Sequence, residues 1–321
     1  MDLEQVFQSI APEMTAVQQC IEASLVTSNH FLQHLVKYYL GTNGKRLRPA
    51  LVLLTAKCND YQPDMVVPAA AALELIHLAT LVHDDIIDQA EVRHHLATIN
   101  TQWCNQVAVL FGDYLYARAL TLASNQWHRV VLAISEIVNN MVEGELSQMG
   151  HVSDPGLTEQ DYLQRIEQKT AHFITTCCSL GAEICQASSE SLKATTDYGY
   201  YLGMAFQIRD DVLDLVAGQV ELGKPVRNDF GQGILTLPVI HALQYSRRRD
   251  DLAETIQKGL LTGAQMEQVI SWLVEAGSLE YAQQVANDYV RKAKEKVPGF
   301  SQGQLSRMFK YLADFSIGRE H

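Results

Sequence analysis

Residues Met65 to Val82 are almost all apolar, and His83, Asp84 and Asp85 follow at once. The run approaches the length that crosses a bilayer. Yet Pro68 sits near its start, and Glu74 and His77 lie inside it. A helix that is apolar on every side must be surrounded, either by lipid or by other protein elements. The internal Glu and His favour protein, so the run predicts a buried helix in a large helical protein and no transmembrane segment. The chain can supply the wrapping. It has 321 residues, 47% of them hydrophobic and 19% charged, which excludes a disordered chain.

The remaining segments also read as helix, and residues 1–321 read as a single all-α domain. Ala11-Pro12-Glu13 opens an early helix with proline near its first position. Gly41 to Gly44 breaks the chain before a helix that begins near Arg48-Pro49. Ser153 to Gly156 reads as a turn, and Thr158 with Asp161 resembles a capping box. No stretch alternates long enough to predict a strand, and no repeat of solenoid length occurs. Ala217 to Thr236 is the longest irregular stretch, a length more often functional than idle. From about Arg247 the pattern is of ordinary amphipathic helices.

A net charge of -12, with no long Lys/Arg run, argues against nucleic acid as a partner. The six cysteines include no CxxC pair, and Cys177-Cys178 read as small buried hydrophobes. Reduced cysteines and no signal peptide predict a cytoplasmic protein.

One short pattern recurs. His83-Asp-Asp-Ile-Ile-Asp88 and Arg209-Asp-Asp-Val-Leu-Asp214 are both Asp-Asp-x-x-Asp after an apolar helical stretch. Positions four apart share a helix face, so Asp84 pairs with Asp88 and Asp210 with Asp214. Like charges at that spacing weaken a helix by a few tenths of a kcal/mol, and a cation relieves them. Oxygen-only ligands suit Mg²⁺, which keeps waters and bridges to phosphates. An exposed acidic helix end explains one such cluster; two copies, each embedded in apolar sequence, favour metal.

Cations flank both clusters. Gly44-Lys45-Arg46-Leu47-Arg48-Pro49 puts three of them at a helix start, where backbone N–H groups also favour phosphate. A solvated basic turn explains that segment equally well by itself. Arg93 follows the first cluster, Lys169-Thr170 precedes a small apolar stretch, and Lys224 follows the second cluster. Acidic residues would hold metal, metal would hold diphosphate, and the cations would complete the neutralisation.

These residues resemble the trans-polyprenyl diphosphate synthase family. The matching blocks are GKRLRP at 44–49, ELIHLATLVHDDIID at 74–88, GELSQ at 144–148, KTAHF at 169–173, GMAFQIRDDVLD at 203–214 and GKP at 223–225. The resemblance implies an isoprenoid synthase-type helical bundle around a central cavity, with the acidic helices facing each other at its mouth. It implies magnesium on Asp84, Asp88 and Asp210, with Asp211 and Asp214 supporting. Arg93, Lys169, Thr170, Gln207 and Lys224 would contact an allylic diphosphate. Lys45, Arg48, His77 and, in place of an arginine, His94 would bind isopentenyl diphosphate. Asp84, Asp88 and Lys169 would serve the ionisation step. The released diphosphate would take the final proton, so no protein base is expected.

The resemblance also bears on product length. Short-chain members carry a bulky aromatic five positions before the first Asp, and here that position is Ala79. Ala79, Ile76 and Ala72 fall roughly on one stripe, which would line a tunnel, so a medium or long product is expected. Alternatively Ala79 only packs against another helix. The sequence departs from the family pattern at Arg93-His94-His95, where a second arginine is usual, and at Ile234, where many members have lysine. Arg227 stands nearby where a glycine is usual. The missing lysine resembles the large catalytic subunit of two-component hexaprenyl and heptaprenyl synthases. The resemblance implies a dimer, formed of two copies or with a smaller subunit lacking the acidic clusters.

Other readings are weaker. A terpene cyclase shares the first cluster, but a second Asp-Asp-x-x-Asp and the Lys45–Arg48 pair point to two substrates. A non-enzyme regulatory subunit that kept the fold would be expected to lose carboxylates, whereas the departures at His94 and Ile234 allow a catalytically weakened subunit of a heteromeric synthase. A di-iron bundle would use Glu74–His77 and Glu91–His94, but these lie only 17 positions apart with the acidic cluster between them. A buried, hydrogen-bonded His77 is the simpler account.

Overall fold

The structure is a computed structural model that describes residues 1–41, 46–93, 96–124, 128–216, 228–259 and 263–318. Among these it is helical almost throughout. The first half contains α1 (Leu3–Gln8), α2 (Ala11–Ser24), α3 (His30–Leu40), α4 (Leu47–Ala56), α5 (Pro63–Ile87), α6 (Ile99–Gln102), α7 (Asn105–Ser124) and α8 (His128–Gly150). There follow α9 (Glu159–Ile166), α10 (His172–Ile184), α11 (Ser189–Val216), α12 (Asn228–Gly231), α13 (Leu237–Tyr245), α14 (Arg249–Lys258), α15 (Gly263–Glu275), α16 (Ser278–Lys296) and α17 (Gly303–Ile317). The only strands among the described residues are β1 (Val92–Arg93) and β2 (Leu96–Ala97), an antiparallel pair too short to show as alternation in the sequence.

Local signals set several helix starts, those at Pro12 and at Thr158 as expected. Pro12 lies in the first turn of α2, and Pro63 in that of α5. Asp2 with Gln5, and Thr158 with Asp161, close capping boxes that satisfy orphan N–H groups.

The chain divides into two compact units, each built from two stretches of sequence. The first is Met1–Glu136 with Thr176–Thr195; the second is Ile137–Thr175 with Thr196–His321. In the first unit α5 packs mainly against α7, with α2 and α4 also against it. The 18-residue apolar stretch of α5 is 72% buried, so it is a core helix and not a membrane span. In the second unit, a core that includes Tyr162, Met204, Ile208, Leu235, Leu237 and Val269 joins α9, α11, α13 and α15. The six cysteines form no disulfide, and Cys177 and Cys178 are fully buried.

Candidate active site

Each acidic cluster lies towards the C-terminal end of a long helix. Asp84, Asp85 and Asp88 crowd the last turn of α5 and its cap, and that turn itself carries no basic residue. Asp210 and Asp211 lie near the end of α11, and Asp214 lies in its last turn. The helix dipole presents partial negative charge there, so a carboxylate in the last turn costs about 0.3–1 kcal/mol. A bound cation reverses that penalty.

In the first unit, α5 stops in a defined way. Gln89 adopts the left-handed conformation (φ 51°). The Ala90 N–H then donates to the Asp85 carbonyl at 2.9 Å, and the Gln89 N–H to the Ile86 carbonyl at 3.3 Å. This is a Schellman closure, and it makes Asp88 the cap. Asp84 and Asp88 are half-buried, on the same face as half-buried His77 and Leu81. Asp85 points the other way and is 3% exposed. The Arg93 Nε donates to its Oδ1 at 2.8 Å, from β1 just beyond the helix end. Thus the middle aspartate orients Arg93.

One to two turns back along α5, Arg48 and His77 meet at 2.9 Å. Burial first, then the cations Arg48, Arg93 and Arg46, push the His77 pKa well below the usual histidine range. His77 is therefore neutral, and its Nε2 accepts from Arg48. Arg46, in left-handed backbone at φ 49°, begins α4 and donates to Glu74 at 2.8 Å. The Glu74-x-x-His77 pair is thus engaged by arginines, as the simpler reading of His77 required. Lys45 and His94 lie outside the described residues, as do His95, Lys224 and Arg227.

Ala72, Ile76 and Ala79 have no exposed surface at all. They lie on the packed side of α5, away from the stripe of His77, Leu81, Asp84 and Asp88. The spacing correctly puts them in the helix that enters the cluster, but their neighbours cover them completely.

The second unit repeats the arrangement with different partners. Asp210 and Asp214 are half-buried, and Asp211 is 5% exposed. Tyr162 Oη donates to Asp211 Oδ2 at 2.7 Å, and Gln207 Nε2 to Oδ1 at 2.7 Å. Thr170 Oγ1 in turn donates to Gln207 Oε1 at 2.7 Å. Burial, then the charge of Asp229, push the Asp211 carboxyl up to about 7, while the two hydrogen bonds pull it back. Lys169 lies in a π turn, Glu167–Ala171, where the sequence predicted only the interior of a helix. Its Nζ is 2.6 Å from Glu145 Oε2. One extra residue in the turn leaves no mark on hydrophobic periodicity over so short a span.

Sequence reasoning missed four residues here. Asp229 on α12 is mostly buried, and burial followed by Asp214 push its carboxyl up to about 6. Arg165, 5% exposed, donates to the Leu235 carbonyl at 2.7 Å and covers the Tyr162 ring. Tyr162 and Glu145 complete the set. Glu145 lies inside the family-like block GELSQ and Asp229 inside the irregular stretch Ala217 to Thr236, and neither position by itself marks a role; Tyr162 and Arg165 carry no signal beyond helical spacing. Ile234, where the lysine is absent, is 9% exposed and held by a backbone bond to Asp229 at 2.8 Å.

Among the described residues, no group of three His, Cys, Asp or Glu side chains converges to hold a metal alone. Each cluster offers instead a pair of outward carboxylates. A hard cation that takes its other ligands from water and phosphate fits this donor set.

The polyprenyl synthetase family model matches residues 29–273. Octaprenyl diphosphate synthase of Escherichia coli is 35% identical over 297 residues, 91% of each chain. Heptaprenyl diphosphate synthase component 2 of Geobacillus stearothermophilus is 33% identical over 325 residues, the full length of both. A polyprenyl synthase from Caulobacter crescentus, solved in complex with calcium and isoprenyl diphosphate, superposes with a TM-score of 0.92 at 28% identity, covering 99% of this chain and 98% of that one.

Proposed function

The chain belongs to the polyprenyl synthetase family and is a prenyltransferase, and on that premise we propose that it extends an allylic diphosphate, such as farnesyl diphosphate, with isopentenyl diphosphate to a medium or long all-trans polyprenyl diphosphate. The observation that carries this reading is the repeated design of the two clusters. In each, the middle aspartate is buried and hydrogen-bonded, and the outer two stay half-buried towards the C-terminal end of a helix. Such geometry favours binding a cation over stabilising the fold.

In this reading Asp84, Asp88 and Asp210 hold magnesium, with Asp214 supporting. Once bound, the metal would supply positive charge to the departing diphosphate. Arg93 is aimed by Asp85, and Lys169 and Thr170 are held on the π turn; these groups, with Gln207, take up the allylic diphosphate. Lys224 joins them by motif alone. Arg48, buttressed by neutral His77, binds isopentenyl diphosphate, with Lys45 and His94 assigned by motif. The alkene then attacks the allylic cation, and the released diphosphate takes the proton. Lys169, and the metal that Asp84 and Asp88 would hold, would stabilise the charge on the departing diphosphate as the C–O bond breaks, the largest contribution in such a step.

Two finer points belong to the same proposal. An alanine at position 79, where short-chain members of the family carry a bulky aromatic, supports a long product. The relative named as a component of a heptaprenyl synthase, and Ile234 in place of lysine, support a dimer that works with a smaller subunit. The test is one assay of the purified chain with Mg²⁺, farnesyl diphosphate and labelled isopentenyl diphosphate, read by chromatography. A polyprenyl product that EDTA abolishes is expected. Turnover of the chain alone removes the two-subunit proposal, and turnover of farnesyl diphosphate without isopentenyl diphosphate removes the elongation reading.

A further inference from the structure

A π turn is wider than an α turn, because each N–H reaches a carbonyl five residues back. It can be packed inside a helical core only where its neighbours give way. The turn at Glu167–Ala171 lies between α8 and α11, and each neighbour presents a glycine to it. A Cβ on Gly144 of α8 would lie 3.1 Å from the Lys169 nitrogen and 3.2 Å from the Gln168 Cβ. A Cβ on Gly203 of α11 would lie 2.6 Å from the Ala171 Cα and 2.9 Å from its Cβ. These are backbone and Cβ atoms, which cannot swing aside as a side-chain tip can. Gly150, further along α8, has open space at the same position.

The glycines also sit beside the groups that receive the side chains of the turn. Glu145, next to Gly144, takes the Lys169 ammonium at 2.6 Å. Gln207, one turn beyond Gly203, takes the Thr170 hydroxyl at 2.7 Å and passes a 2.7 Å bond to Asp211. One helix therefore fixes Lys169 and the other fixes Thr170, and both do so across a glycine contact.

We propose that Gly144 and Gly203 are positioning residues, which seat the π turn at the depth where Lys169 and Thr170 meet the diphosphate of the allylic substrate. The inference rests on the function proposed above. Neither glycine touches substrate; each acts through the turn. An ångström of misplacement at a binding group can cost about a hundredfold in rate. The effect should fall on one substrate only, because Arg48 and His77 lie on other elements.

The experiment compares Gly203→Ala, Gly144→Ala and Gly150→Ala in the full chain. Gly203→Ala is expected to raise KM for farnesyl diphosphate by about tenfold or more, with KM for isopentenyl diphosphate changed less than about twofold. Calorimetry with inorganic pyrophosphate and Mg²⁺ should show the same loss. Gly144→Ala should show a smaller rise of the same kind, and Gly150→Ala none. Adding Ala171→Gly to Gly203→Ala should restore part of the affinity, because it removes the Cβ clash and leaves the Cα one. If Gly203→Ala does not fold, Gly144→Ala carries the test, since its neighbours need to move only slightly. Equal rises in both KM values or unchanged pyrophosphate affinity overturns the inference. A wild-type chain that transfers no prenyl group, yet loses pyrophosphate affinity in Gly203→Ala, would refute the function and support the positioning role.

Discussion

Tyr162→Phe isolates one hydrogen bond. The ring is fully buried and packed under Arg165, and the change removes only the hydroxyl that donates to Asp211 at 2.7 Å. A hydrogen bond to a charged group contributes about 1.5–3 kcal/mol, and one between neutral groups about 0.5–1.5 kcal/mol. The cost of the substitution therefore depends on whether Asp211 is ionised. Its carboxyl titrates at about 7 in the folded protein because burial and Asp229 disfavour the charge. An unfolded aspartate titrates near 4. The native state thus holds the proton longer than the unfolded state, and this residue's contribution to stability falls as pH rises from about 4 to about 7. Losing the donor disfavours the charged form by about 1–1.5 kcal/mol more, which extends that fall upward by roughly one pH unit. Urea titrations of metal-free protein should give a cost of about 0.5–1.5 kcal/mol at pH 5.5 and about 1.5–3 kcal/mol at pH 9, with unchanged slope. The chelator matters, because a cation on Asp210 and Asp214 would itself favour the ionised form. An equal cost at both pH values, or a smaller one at pH 9, would refute the account of Asp211 as a buried carboxylate held by Tyr162.

Four other changes test the rest of the site. Asp84→Asn should raise metal-free stability by about 0.3–1 kcal/mol in urea, by relieving the end of α5, and should lower magnesium-dependent turnover by about a hundredfold or more. Gln89→Gly should stabilise by about 1 kcal/mol in thermal melts, because glycine adopts φ 51° without the Cβ penalty. Arg93→Met should cost about 3 kcal/mol, since it strands buried Asp85; adding Asp85→Asn should recover much of that loss in a double-mutant cycle. Ala79→Phe should shorten the product seen by chromatography and cost about 1–3 kcal/mol for overpacking a site with no exposed surface. An unchanged product distribution would reject Ala79 as a length determinant.

The placement of the clusters explains why stability and function pull apart here. Carboxylates in the last turn of α5 weaken the helix on which they stand, and Gln89 adds a strained backbone conformation just after them. Both features gather at the candidate site, as strain tends to do where surrounding packing over-determines the geometry.

The sequence alone determined what depends on near neighbours. Helical periodicity and the capping pairs Thr158–Asp161 and Asp2–Gln5 involve residues within four positions, so these features are written locally. The same holds for the shared face of Asp84 and Asp88, and the apolar run of α5 required burial wherever its partners came from. Tertiary structure decided which face of each helix was covered. Asp85 and Asp211 look equivalent to their neighbours in Asp-Asp-x-x-Asp. Burial by the fold makes them the supporting members, with Arg93 eight positions away and Tyr162 forty-nine positions away as partners. Asp229 acquired its raised pKa from burial beside Asp214, and Lys169 its π turn from the space between Gly144 and Gly203. The stripe at Ala72, Ile76 and Ala79 was legible as a stripe, but not as a packed one. Its burial depends on helices whose approach is set by side chains far along the chain, and no local spacing encodes that.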